Sequence, residues 1–356
     1  MQAEKNNLAA DPNQIRKAVV KMFEVNFSIQ PAERVVVLTD FPDGNLLRNL
    51  QAADVEAQLQ RSMLARWVYE IGNAAFTQNN FKFLPFPATG LNGKEPPGEV
   101  IEGLNDADIA VAITSYSLTH TKTRNDATDR GVRIASMPGF LVDMFYPGGA
   151  MDADYRLIAK RSLDIQKILE PVSQVKISNP TGTYLEFIVK DRKKFAETGL
   201  IEKFAKPCNL PAGEAGCSPL EGSARGKIVL EKGWHKYLLD GRGTIEIEDG
   251  VIKSLHGPGT FVNEIDRILK IGTDDQPYKS RRNIAEFGIG TNPNARRIDS
   301  TLEAEKIMGT IHIGYGNNFF MGGKVNADFH SDFIVNAPTV WFDEELFMNA
   351  GDFVSQ

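Results

Sequence analysis

Apolar positions along this chain follow two different rhythms. In the first part they form unbroken runs separated by amphipathic stretches. Ile15, Val19, Met22 and Phe23 recur at helical spacing between Pro12 and Asn26. ERVVVLTD (33–40) is then a continuous β-branched run closed by FPDG, the pattern of a strand buried on both faces. Helical periodicity resumes from Asn45 to about Phe76, long enough for two helices. KFLPF (82–86), the run from Asp108 to Thr114 and VRIASMPG (132–139) supply three further strands. PATGLNGKEPPGE (87–99) reads as a polar Gly/Pro loop, either a lid or a linker. SYSLTHTKTRNDATDRG (115–131) reads as a loop opening into a helix capped by Thr119 or Thr121. Strands and helices alternating at this spacing predict a doubly wound, Rossmann-like α/β domain over residues 1–170.

After a helix from Tyr155 to Leu169 the rhythm shortens. QVKISNPTGTYLEFIV (174–189) predicts a hairpin turning at Asn179 to Gly182, and GKIVLEKG and GTIEIEDGVIKSL follow, with a turn at Asp249 and Gly250. Residues 171–356 are therefore expected to form a β-rich α+β domain. Within it, three apolar segments each carry an ionisable side chain where a strand would bury it: Glu286 in IAEFGIG, His312 in GTIHIGYG, and His330 with Asp332 in FHSDFIV. Alternation of faces puts His330 and Asp332 on one side and Phe329, Ser331 and Phe333 on the other. The same rule sets His312 apart from Ile311 and Ile313, and Glu286 apart from Ala285 and Phe287, in each case beside glycine. An imidazole and a carboxylate together on an apolar strand lose hydration, and a cation restores a partner. This donor set suits zinc, cobalt, manganese or iron(II), and the absence of thiolate pairs speaks against a closed structural zinc site.

Composition narrows the function classes. The net charge of −6 and pI near 5.6 exclude a generic nucleic-acid or anionic-membrane surface. No apolar run has the length of a membrane span and the N-terminus lacks a hydrophobic leader, so a cytoplasmic protein is expected. Cys208 and Cys217 stand nine residues apart without a CxxC pattern; free thiols are expected, with Cys217 close enough to Glu214 to line the same site. The run Lys190, Arg192, Lys193, Lys194, broken by Asp191, reads as a solvated helix face. His120 falls just past a strand's carboxyl end, where open α/β sheets bind ligands. GIGTNP (288–293) lacks a third glycine and no GxxxxGK[ST] occurs, so nucleotide binding is not indicated.

Taken in order, PAGE with Glu214, EFGIGTN, EKIMGTIHIGYG and HSD followed by an AP dipeptide resemble the M29 metallo-aminopeptidases, the aminopeptidase T and aminopeptidase S group. SLTHTKTRNDATDRGVRIASMPG (117–139) and VKISNPTGTYLEF (175–187) are similar to that family's upstream segments. The resemblance implies metal ligands at Glu214, Glu286, His312, His330 and Asp332. It also implies two divalent ions, zinc or cobalt, in a homodimeric hydrolase that removes N-terminal residues from peptides. In such a site Glu286 would bridge the ions around a shared hydroxide, with Glu305 as the general base. The family's site tyrosine falls on Phe319, and Tyr315 lies on the strand face opposite His312. A second resemblance, carried by HSD and the AGD near the C-terminus, is to the 2,5-dihydroxypyridine ring-cleaving dioxygenases. It implies one iron(II), a small-molecule substrate, and His312, His330 and Asp332 as its ligands. Those dioxygenases carry a histidine where this chain has Glu286. A third reading is a metal-binding protein without peptidase activity.

Overall fold

The computed structural model describes residues 11–119, 121–202, 208–233 and 241–354. His120 lies outside the described residues. By internal contacts the chain parts into two compact units, Met1–Arg156 with Gly199–Ala212, and Leu157–Thr198 with Gly213–Gln356.

In the first unit, Asp11 caps a helix over Pro12–Lys21 by accepting from the Asn13 N–H, and Pro12 occupies the first turn, where its missing donor costs nothing. Four parallel strands, β1 (Arg34–Phe41), β2 (Asn80–Pro87), β3 (Ile109–Thr114) and β4 (Arg133–Pro138), lie in the order β2-β1-β3-β4, and Cys208–Asn209 extends the sheet beside β4. Every residue of β3 is buried, as its unbroken apolar run requires of a sheet covered on both faces. Ala52–Ala75 is helical, and Thr121 caps the helix Lys122–Asp129 through Oγ1, which accepts from the Arg124 N–H at 3.3 Å. The loop expected after Pro87 is tied down by Glu95, whose carboxylate accepts from the Lys122 and Thr123 N–H groups at 2.5 and 3.0 Å. A helix over Gly98–Asn105, which eight residues of weak periodicity do not announce, precedes β3. Asp40 at the end of β1 accepts from the Ser115 and Tyr116 N–H groups at 2.6 and 3.0 Å.

The second unit is built from two sheets. One has eight strands and includes the predicted hairpin as Gln174–Ser178 paired with Tyr184–Ile188. The other has five antiparallel strands, in the order His330–Val335, Ile311–Gly316, Ile284–Gly290, Glu214–Cys217, Lys194–Glu197. Val175, Ile177, Leu185 and Phe187 of the first sheet share one core with Phe287, Ile289, Ile311, Ile313 and Phe333 of the second. Phe187 and Phe287 approach to 5.4 Å between ring centroids, a tilted aromatic pair.

The basic run at 190–194 corrects the expectation of a solvated helix face. Asp191 takes a left-handed turn with φ 59°, and Lys194 opens a strand with its ammonium buried against the Val189 carbonyl at 2.5 Å. Arg192 pairs with Glu221 at 2.7 Å. Among the described residues no helix is long and apolar enough to cross a membrane.

Candidate metal centre

The antiparallel register of the five-stranded sheet places each candidate ligand opposite a glycine. Glu286 and Asp332 both face Gly314, His312 faces Gly288, His330 faces Gly316 and Glu214 faces Gly290. Residues directly opposite in such a ladder share a face, so all five side chains rise from the same side of the sheet. The other side carries Ala215, Cys217, Phe287, Ile289, Ile313 and Phe333 into the core. Period-two alternation thus divides each strand between packing and chemistry.

Two of the glycines are required by the crowding above them. A Cβ on Gly288 would overlap the His312 ring at Cε1 and Nε2. A Cβ on Gly314 would lie 2.7 Å from Glu286 Cβ, 2.9 Å from Asp332 Oδ1 and 3.0 Å from His330 Cε1. The sheet is hollowed where the polar groups converge.

They converge as two trios that share Glu286: Glu214, Glu286 and His312 form one, and Glu286, His330 and Asp332 the other, each with its donor atoms within 4.8 Å of one another. His312 Nε2 lies 3.4 Å from Glu214 Oε2 and 3.6 Å from Glu286 Oε1. His330 Nε2 lies 3.1 Å from Glu286 Oε2 and 3.6 Å from Asp332 Oδ1. The Nδ1 of His330 is 2.8 Å from the Asn317 carbonyl, which can only accept, so Nδ1 carries the hydrogen and Nε2 is turned to the carboxylates.

Electrostatics mark the cluster as short of positive charge. Burial opposes the charge of Glu286, but hydrogen bonds from His312 and His330 outweigh it and hold the carboxyl well below the usual range. Burial also works against charge on both imidazoles; the facing carboxylates nevertheless push His312 up to about 9 and His330 well above its ordinary value. Burial lifts Glu214 well above the carboxylate range against the pull of Lys306. Glu214 Oε2, Asp332 Oδ1 and His312 Nδ1 are buried without a hydrogen bond. These residues fit a divalent cation: it would satisfy the two orphan oxygens, and ligation of the imidazoles would release the protons they otherwise hold.

Beneath the first trio lies a group that sequence reasoning missed. Lys306 is 2% exposed, and its ammonium contacts Glu214 Oε1 at 2.7 Å, Glu197 Oε2 at 2.8 Å and Glu305 Oε1 at 3.0 Å. Burial penalises this ammonium, yet the three carboxylates raise its pKa well above that of a free lysine. Glu305, read from sequence as the general base, is part of this cluster; burial pushes its carboxyl to about 7. Glu197 enters because it faces Glu214 in the ladder, which no local motif announces.

Cys217 and Tyr315 lie on the core face of the sheet, away from the cluster. Cys217 does not line the site: it lies on the core face, and burial pushes its thiol to about 12. Thiol reagents at pH 8 are therefore expected to leave Cys217 unmodified in the folded protein and to label it on unfolding; labelling before unfolding would show the strand reversed. Phe319 sits 63% exposed in the turn Phe319–Met321, while Tyr315 stacks on Phe333 in the core at 4.4 Å between centroids.

Comparison with known proteins adds a family to this geometry. The chain is similar to the solved 2,5-dihydroxypyridine dioxygenase of Pseudomonas putida KT2440 at 20% identity and a TM-score of 0.72, over 98% of this chain and 99% of that one. It is also similar to AmpT from Thermus thermophilus at 14% identity and a TM-score of 0.62, over 97% and 100% of the two chains. At these identities the likeness is one of fold. A search of curated protein sequences finds no match. The family model described as NicX, 2,5-dihydroxypyridine 5,6-dioxygenase, matches residues 15–355, and the chain belongs to that family.

Proposed function

We propose that this protein is an iron(II)-dependent dioxygenase that opens the ring of a hydroxylated pyridine. The observation that carries this reading is the extent of the family match, which runs through both compact units and is not confined to the strands bearing the ligand-type residues. The hydrolase expected first from the sequence motifs thereby takes second place.

Glu286, His330 and Asp332 would hold the ion, in place of the His312, His330 and Asp332 set expected from the sequence, because His312 gathers with Glu214 and Glu286 in the other trio. One imidazole and two carboxylates are nitrogen and oxygen donors that iron(II) accepts, with a carboxylate in place of one imidazole of the two-histidine, one-carboxylate arrangement of non-haem iron oxygenases. Iron(II), when held by these residues, would supply the activation of dioxygen. The protein's own residues do the rest. The Asn317 carbonyl fixes the His330 ring in one tautomer and orientation. Gly314 leaves Glu286 and Asp332 room to reach the same point. Glu305, with its carboxyl near 7, can hold or release a proton at working pH. Lys306 draws Glu214 Oε1 away from the centre and leaves Oε2 directed at His312.

One observation favours a second reading. Glu286 turns Oε1 toward His312 and Oε2 toward His330, the attitude of a carboxylate bridging two cations in a hydrolase. Metal analysis of gently purified protein, with two assays, separates the two. The oxygenase reading expects about one equivalent of iron and oxygen uptake with 2,5-dihydroxypyridine. Two equivalents of metal and release of p-nitroaniline from leucine p-nitroanilide, without oxygen uptake, would replace it by the hydrolase.

A further inference from the structure

We propose that Phe320, with Phe319 beside it, is the wall against which a flat aromatic substrate ring is held, so that these residues set the ligand class of the site. The proposal rests on the ring-cleavage reading above and names a recognition element for it. Phe319 and Phe320 are 63% and 48% exposed, two aromatic rings side by side at the surface. The Phe320 ring meets the His330 ring edge to face, 5.4 Å between centroids and 71° between planes.

The turn that displays them is held by buried polar bonds. Asn318, fully buried, donates from Nδ2 to Ser218 Oγ at 2.9 Å and to Glu221 Oε1 at 2.8 Å, and its Oδ1 accepts from the Val325 N–H at 2.9 Å. Its carbonyl accepts from the Met321 and Gly323 N–H groups at 3.0 and 2.9 Å. Gly323 has to lack a side chain, because a Cβ there would fall on the Asn318 amide. Glu221 is itself pinned by Arg192 and the Lys324 N–H, each at 2.7 Å; burial opposes its charge, but these bonds bring its carboxyl down to about 2. Asn317 completes the arrangement: its Oδ1 accepts from the Phe319 N–H at 2.8 Å while its carbonyl orients His330.

Two adjacent asparagines therefore fix both the ligand-type histidine and the exposed phenylalanines. A wall indexed in this way to His330 can present a planar ring to the centre in one orientation. Stacking on such a wall is worth up to about tenfold in affinity.

The test is anaerobic titration of the iron(II)-loaded full chain with 2,5-dihydroxypyridine, followed by absorbance, in the wild type and three variants. Phe320→Ala and Phe320→Leu should each bind about tenfold more weakly with iron content unchanged, and Phe320→Trp, which keeps a flat ring, should bind like the wild type. Equal affinity in all four proteins overturns the proposal. So does a change of oligomer size in Phe320→Ala with affinity unchanged, which would make the patch a contact between copies. Wild-type protein that binds iron but no hydroxypyridine overturns this proposal together with the function it rests on. Ring binding that depends on Phe320 without oxygen uptake sinks the oxygenase reading alone and leaves the wall standing.

Discussion

Lys306→Met should lower the stability of the folded chain by about 3–5 kcal/mol, the cost of removing one partner from a buried ion cluster. Methionine matches the length of the lysine stem, so little packing is lost. The deficit is electrostatic. Glu197, Glu214 and Glu305 would remain around a volume 2% exposed in the wild type, with no ammonium to offset them. Glu214 and Glu305 would have to take up a proton or leave. Burial already lifts Glu214 and brings Glu305 to about 7 with the ammonium present; without it their folded pKa values rise further above the unfolded ones. Groups raised in this way favour the fold below the unfolded carboxyl pKa, near 4.5, and destabilise it as pH rises through the folded values. Urea midpoints for the variant should therefore fall further below wild type at pH 8 than at pH 5. A midpoint unchanged at both values would show that the three carboxylates are not held together by this lysine.

Gly314→Ala and Gly288→Ala should part company. Both add one methyl to a strand that tolerates alanine, and overpacking costs each about 1–3 kcal/mol. At position 314 the methyl presses on Glu286, His330 and Asp332 together, whereas at 288 its nearest neighbours are all atoms of the His312 ring. If iron sits among Glu286, His330 and Asp332, Gly314→Ala should reduce iron affinity about 10–100-fold, the range for disturbing the supports of a metal ligand, and Gly288→Ala should leave iron near one equivalent. Competition with a chelator of known affinity reads the difference. The reverse ranking would move the ion to Glu214, Glu286 and His312. Equal losses would point to a site that needs both trios filled.

Much of this arrangement was legible because it depends on short-range rules. Alternation along IAEFGIG, GTIHIGYG and FHSDFIV is enough to put Glu286, His312, His330 and Asp332 on faces away from Ile, Phe and Ala, and the structure gathers them. The parallel strands of the first unit were readable from unbroken apolar runs. What escaped depends on pairing across the sheet or on context. Glu197 matters only because its strand lies beside Glu214. Lys306 looks in sequence like an ordinary companion of Glu305, since nothing local says that three carboxylates will enclose it. Cys217 was misplaced by proximity: three residues beyond Glu214 on a strand is the opposite face. The run at 190–194 failed as a helix because Asp191 turns the chain left-handed, after which Lys194 is drawn into a ladder.

The choice of metal and reaction was harder to read, and the register of glycines accounts for it. Glu286 stands over the bare backbone of Gly314, and no side chain of that partner strand competes with it for the position. A sheet that keeps bare backbone under its reactive positions can exchange one donor for another without moving its strands. Chemistry on such a scaffold can change by single replacements while the architecture stays constant, so overall shape alone does not tell which donor stands over each glycine.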